Sequence, residues 1–189
     1  MELILASRSP RRKELLARLG RPFSVKVSSA PELERAASPE LLVAENARRK
    51  AMALAREYPD ALVLGSDTVV EIDGEVIGKP KDLEHARAIL RKLSGRTHRV
   101  LTAINLIGLS TGVDRAWTEQ TLVKFKPLSR QDIERYLDLV HVMDKAGAYG
   151  IQDHGEMLAA EIDGELENVI GLPLLRLEKE LSELLKGRE

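Results

Sequence analysis

The chain has 189 residues, 43% of them hydrophobic and 31% charged, which suits one soluble domain, or one domain with two lobes, and leaves no run near the roughly 18 apolar residues of a membrane helix. Its 29 Lys and Arg against 30 Asp and Glu give a formal charge of -1, so net charge provides no general affinity for nucleic acid and any anion site must be a local cluster. The absence of cysteine excludes disulfides, iron–sulfur clusters, thiolate zinc sites and cysteine nucleophiles. Met1 to Ala6 opens into a strand-like run without the basic region and cleavage site of a secretory leader, which makes the cytoplasm the expected location. Side-chain amides are confined to Asn46, Asn105, Asn168, Gln120, Gln131 and Gln152, a scarcity shared with heat-adapted proteins.

Strand and helix signals alternate through the first half, which predicts an α/β fold. Leu3 to Ala6 reads as a buried strand. Ser9 and Pro10 supply the cap and first-turn proline of a helix reaching Leu19, stopped by Gly20. Phe23 to Val27 alternates as a second strand. Ser38-Pro39 starts a long helix that gathers Leu41, Leu42, Ala44, Ala47, Ala51, Leu54 and Ala55 on one side and ends at Pro59. Ala61 to Leu64 is a continuous apolar run, expected as a central strand that delivers Gly65-Ser66-Asp67-Thr68 at its end. Val69–Ile72 and Glu75–Ile77 around Asp73-Gly74 predict a hairpin, and a helix follows over about 82–93. Arg99 to Leu109 and Ala116 to Phe125 read as long antiparallel strands, and Ser129 with Asp132 marks a capped helix. The segment from Asp144 to Gln152 has no periodicity and reads as an ordered loop. A second hairpin is expected at Asp163-Gly164, then an amphipathic helix from Pro173 to Leu185. No repeat or linker interrupts the chain, so residues 1–189 are read as a single domain with two lobes.

Three stretches could carry chemistry. Arg11 and Arg12 stand in the first turn of a helix, where the dipole disfavours cations. A phosphate bound by the free N–H groups, by the Ser7 hydroxyl and by the two guanidinium groups would resolve that conflict, and a solvated basic face is the equal alternative. Asp67 emerges from an apolar strand, which would place a carboxylate rigidly enough to orient a metal or a water, though a turn-forming Asp is as common a use. Lys79, between Gly78 and Pro80, is a weaker candidate. His85, His98, His141 and His154 lack zinc-ligand spacing, and no phosphate-binding glycine loop or nucleophile elbow is present. Phosphate chemistry with carboxylates and a hard metal ion remains.

Ser7-Arg8-Ser9-Pro10-Arg11-Arg12, Gly65-Ser66-Asp67-Thr68-Val69-Val70, Gly78-Lys79-Pro80, Asp144-Lys145-Ala146-Gly147-Ala148-Tyr149-Gly150-Ile151-Gln152 and Val169-Ile170-Gly171-Leu172-Pro173 together resemble the successive signatures of the Maf, or septum-formation, family of nucleotide pyrophosphatases. The resemblance spans nearly the whole chain. It implies an α/β fold with an elongated mixed sheet flanked by helices, two lobes and a central cleft, similar to inosine triphosphate pyrophosphatases. It further implies hydrolysis of a nucleoside triphosphate between the α- and β-phosphates, with a divalent metal, Mg²⁺ or Mn²⁺, as cofactor.

By the same resemblance, Asp67 is the general base, and Ser7, Arg11, Arg12, Lys50 and Lys79 hold the triphosphate. Glu32 joins Asp67 in binding metal or positions water. Nothing local in the sequence would select Lys50 or Glu32. Arg8 departs from the small residue usual at its position, which bears on the geometry of the opening loop. Base choice is associated with Arg11, Thr68 and Gln152, and this set resembles the subgroup acting on dTTP, UTP and modified pyrimidine nucleotides. Partners are then the nucleotide alone, without nucleic acid or membrane, and a homodimer is compatible. Two other expectations stand beside this one: a nucleotide-sensing regulator of septum formation with little turnover, and an inosine triphosphate pyrophosphatase.

Overall fold

The computed structural model describes residues 1–186. Its strands are β1 (Leu3–Ala6), β2 (Ser24–Lys26), β3 (Leu62–Ile72), β4 (Glu75–Ile77), β5 (Thr97–Gly108), β6 (Val113–Phe125) and β7 (Ala159–Asp163). Its helices are α1 (Pro10–Ala17), α2 (Pro39–Glu57), α3 (Leu83–Leu93), α4 (Arg130–Leu139), α5 (Leu166–Ile170) and α6 (Leu174–Lys186). The strands form one seven-stranded mixed sheet in the order β2-β1-β3-β5-β6-β7, which β4 joins through β3. None of the helices is long and apolar enough to cross a membrane among the described residues.

β1 is buried along its whole length and runs parallel to both β2 and β3, as an unbroken apolar strand with covered faces should. Its register on β3 ends with Ala6 opposite Gly65. β3 continues past the end of β1, through Ser66, Asp67 and Thr68, and then pairs with β4 from Val70 to Ile72. The two short strands expected around residues 61–72 are therefore one, because the later residues find backbone partners on β4 once β1 has left. Asp73 (φ 56°) and Gly74 (φ 79°) close the β3–β4 hairpin, and positive φ at both central residues is what a tight hairpin turn requires.

The chain divides into two compact units, one made of Met1–Asp67, Thr102–Glu119 and the chain from Gly171, the other of Thr68–Leu101 and Gln120–Ile170. In the first, Ile4, Ala6, Ala51, Leu54, Ala55, Ala61, Val63 and Ile107 form a core. Ser38 caps α2 by accepting from the Leu41 amide, and Pro39 fills its first turn. Ala47, Ala51 and Ala55 put only small side chains on one ridge of α2, which lets the helix lie close to β3 at Gly65. A Cβ on Gly65 would come within 2.2 Å of the Ala47 carbonyl oxygen. Leu41, expected on the apolar side, is exposed, and the buried stripe begins instead with Leu42 and Val43.

In the second unit, Val70, Ile72, Ile89, Leu90, Leu93, Val100, Val123, Phe125, Ile133 and Tyr136 pack together. Asp82 caps α3, and Ser129 and Asp132 cap α4 reciprocally, as their spacing predicts. β7 pairs antiparallel with β6. The hairpin expected at Asp163-Gly164 does not form. Gly164 (φ 124°) instead turns the chain into α5, and Thr121 Oγ1 holds that turn by donating to the Glu165 carbonyl at 2.9 Å.

Candidate active site

Asp67 is buried within β3, one residue beyond Ser66 and just past the level at which β1 leaves the sheet. Lys50, on α2, donates to Asp67 Oδ1 at 2.7 Å, and Asn46, one helical turn earlier, donates to Oδ2 at 3.2 Å. Positions four apart share a helix face, so α2 presents both donors to one carboxylate. Asn46 also pins the loop ahead of α2, since its side chain accepts from the Leu33 amide at 2.7 Å and donates to the Leu33 carbonyl at 3.1 Å. That loop carries Glu32, whose Oε1 lies 2.7 Å from Lys50 Nζ. One mostly buried ammonium thus joins Asp67 to Glu32. The turn-forming alternative for Asp67 is set aside by its place inside a strand.

The loop between β1 and α1 lies in the same unit. Ser7 is buried, and its hydroxyl accepts from the Ser9 amide, while the Ser9 hydroxyl accepts from the Arg12 amide. Arg12 reaches across to donate from Nε to the Gly171 carbonyl at 2.8 Å and from Nη1 to the Ser66 carbonyl at 3.1 Å. Ser66 Oγ donates to the same Gly171 carbonyl at 3.2 Å. Arg12 therefore ties the opening loop to the strand of Asp67 and to the chain entering α6. Burial lowers its pKa from the ordinary value, and the charges of Asp67 and Glu32 act in the opposite sense. The conflict between Arg12 and the helix dipole is eased by these carbonyl and carboxylate partners, an answer the sequence did not suggest. Arg11 stays half-buried in the same turn, and Arg8 is exposed.

Thr68, Lys79 and Gln152 belong to the second unit. Thr68 follows Asp67 on β3, so its side chain leaves the opposite face of the strand. Lys79 is exposed, and its loop is held where the Gly147 amide donates to the Gly78 carbonyl at 3.1 Å. Gly147 (φ 73°) is needed there, since a Cβ would lie 2.8 Å from Val70 Cγ2. Gln152 is exposed. Behind its segment, His98, Phe125 and Tyr149 meet edge to face with centroids 4.9 to 5.5 Å apart, and His98 Nε2 shares a 2.8 Å hydrogen bond with the Tyr149 hydroxyl. Burial pushes the His98 pKa down to about 4 and raises that of Tyr149.

Of the residues expected from the sequence, Ser7, Arg11, Arg12, Glu32, Lys50 and Asp67 thus fall in one unit, and Thr68, Lys79 and Gln152 in the other. Ser66 and Gly171, from two of the quoted motifs, and Asn46, from none of them, complete the first group. Asn46 had a legible trace, a rare amide four residues before a lysine on an otherwise apolar helix face. No group of three or more His, Cys, Asp or Glu gathers as a metal cage among the described residues. Glu32 and Asp67 do offer two carboxylates against one ammonium. Hard oxygen donors in that small number suit an ion such as Mg²⁺, which takes its other ligands from substrate phosphates and water.

Residues 2–184 match the family of Maf-like proteins. The chain is 49% identical to a dTTP/UTP pyrophosphatase of Akkermansia muciniphila, over 91% of this chain and 90% of that one. It is 48% identical to a dTTP/UTP pyrophosphatase of Bacillus velezensis, over 96% and 95% of the two chains. Among solved structures, the Ham1 protein of Staphylococcus aureus aligns along the full length of both chains with a TM-score of 0.55 at 16% identity, a likeness of fold alone. A family match that takes in every site residue named above, with relatives near half identical over nearly their whole length, places this chain in the Maf-like protein family.

Proposed function

We propose that the protein hydrolyses dTTP and UTP between the α- and β-phosphates, releasing the nucleoside monophosphate and pyrophosphate. The observation that carries this reading is the Asp67–Lys50–Glu32 constellation, a buried carboxylate held at both oxygens beside a second carboxylate. The names of the related proteins support the choice of nucleotide. Asp67 orients the attacking water and takes its proton, and the bonds from Asn46 and Lys50 prevent its carboxylate from rotating away. Ser7, Arg11 and Lys50 hold phosphate oxygens, with Arg12 and Lys79 adding positive charge against a substrate that carries close to four negative charges near neutral pH. Glu32 and Asp67 would hold Mg²⁺ or Mn²⁺, which when bound stabilises charge on the phosphate oxygens. A cytoplasmic setting fits such a substrate.

Arg11, Thr68 and Gln152 select the base. The Gln152 amide can donate from its NH2 to the position-2 carbonyl of uracil or thymine and accept at its oxygen from the position-3 N–H. Cytosine lacks that N–H, and once the bound base shields the exposed Gln152 amide from water, leaving it poorly paired costs about 1 to 3 kcal/mol, or roughly five- to 150-fold in efficiency. A panel of dTTP, UTP, CTP, GTP, ATP and ITP, assayed for both monophosphate and pyrophosphate, tests the reading. Turnover of dTTP and UTP ahead of the others is expected. Preference for ITP would favour the inosine triphosphate reading, binding without release of pyrophosphate would favour a sensor, and diphosphate with inorganic phosphate as products would overturn the proposed bond cleavage.

A further inference from the structure

Lys145 has no part in the reading above, yet it is a buried lysine, 8% exposed, at the start of the segment that ends in Gln152. Its Nζ donates to the His141 carbonyl at 2.5 Å and to Asp144 Oδ1 at 2.9 Å, and lies 3.5 Å from Asp153 Oδ2. Acceptors before and after the segment therefore converge on one ammonium. The chain passes so close to this lysine at Gly150 that a Cβ there would lie 2.8 Å from Lys145 Cε and 2.5 Å from Asp153 Oδ2. Tyr136, on α4, grips the same glycine twice, accepting from its amide at 3.0 Å and donating to its carbonyl at 3.3 Å. Exposed Gln152 is thus carried between two anchored residues, Gly150 and Asp153.

We infer that Lys145 is a positioning residue for nucleobase selectivity: its ammonium, by clamping His141, Asp144 and Asp153, holds the backbone from which the Gln152 amide meets the base. This inference rests on the reading of Gln152 as the residue that contacts the base. Two hydrogen bonds discriminate uracil from cytosine only if the amide is held within about 0.5 Å of its place. An exposed glutamine on a loose loop lacks that constraint, and displacement by about 1 Å can cost on the order of 100-fold. The lysine acts through charge and reach without touching substrate.

The test compares the parent with Lys145→Met, Asp153→Ala, Gln152→Ala and the double variant Lys145→Met with Gln152→Ala. It uses UTP and CTP kinetics and deuterium exchange of the peptide over residues 144–154. Lys145→Met should speed exchange in that peptide, raise KM for UTP roughly ten- to 100-fold with a much smaller change in kcat, and bring the UTP-to-CTP efficiency ratio toward that of Gln152→Ala. Asp153→Ala, a change at a partly exposed residue that should spare folding, should shift the ratio in the same direction by less. The double variant should discriminate no worse than Gln152→Ala alone, since both changes remove one interaction. A ratio does not depend on the fraction of folded enzyme, so a merely structural role would leave it in place. Loss of the ratio in Gln152→Ala, with parental ratio and exchange in Lys145→Met and Asp153→Ala, overturns the inference and leaves the base reading standing. A parental ratio in Gln152→Ala overturns the base reading, and the inference with it.

Discussion

Asp67 receives one hydrogen bond on each carboxylate oxygen, from Lys50 and from Asn46. Asp67→Asn keeps the volume and removes both the charge and the proton acceptor. Turnover of UTP should fall by at least roughly 100-fold, with a circular dichroism spectrum like the parent's, and near-normal kcat at saturating metal would disprove the role. His98 bears on stability instead. It is buried with its pKa lowered from 6.5 to about 4, so the unfolded chain takes up a proton near pH 6.5 and the folded chain only near pH 4. Stability is full above pH 6.5, falls as the pH drops from there, and levels off below about 4, a difference of about 3 kcal/mol. His98→Gln can still hydrogen-bond to Tyr149 but does not titrate. In urea unfolding at pH 7.5 and pH 5, the stability advantage of the parent over this variant should shrink by about 2 kcal/mol at the lower pH. An advantage independent of pH would show that His98 is not held neutral.

At the scale of elements, the site depends on how closely α2 lies on β3. That separation is set at Gly65, where an added Cβ would meet the Ala47 carbonyl oxygen at 2.2 Å and the Ala51 amide nitrogen at 2.9 Å. Neither is the end of a flexible side chain, so Gly65→Ala must push the helix from the strand. It should cost about 1 to 3 kcal/mol, and it should lower kcat as well, because Asn46 and Lys50 move with the helix while Asp67 stays on the strand. Gly78→Ala meets nothing within 4 Å and should change stability by less than about 0.5 kcal/mol. Thermal melts and UTP kinetics on both variants check this, and equal stability of the two would show that α2 is not packed against Gly65.

For the whole molecule, the consequence concerns metal. The described residues hold no cage of three metal-ligating side chains, and an ion held as proposed, through two carboxylates and the substrate, would belong to the reaction more than to the fold. Exhaustive chelation should abolish pyrophosphate release while moving the melting temperature by only a degree or two, and Mg²⁺ or Mn²⁺ should restore activity. Hydrolysis that survives chelation would remove the metal from the mechanism, and unfolding on chelation would assign it a structural role.

What the sequence determined by itself was whatever is decided within a few residues of chain. Ser9-Pro10, Ser38-Pro39 and Ser129 with Asp132 start their helices because a capping oxygen and an amide two or three residues on are brought together by helix geometry alone. Asp73-Gly74 turns because its backbone tolerates positive φ. The same local rule failed at Asp163-Gly164, where Thr121, more than forty residues away in the chain, captures the Glu165 carbonyl. The candidate site is partly legible in the sequence: Asp67 is marked by its place after an apolar run, whereas only a family resemblance points to Lys50 and Glu32. Tertiary structure alone decided that Lys50, Asn46 and Glu32 meet around Asp67, because that meeting depends on the register of β1 on β3 and on a glycine contact between strand and helix. It also decided that Arg12 grips a carbonyl 159 residues along the chain. Chain reversals place those atoms together, and no periodicity in the sequence encodes a distance between groups so far apart.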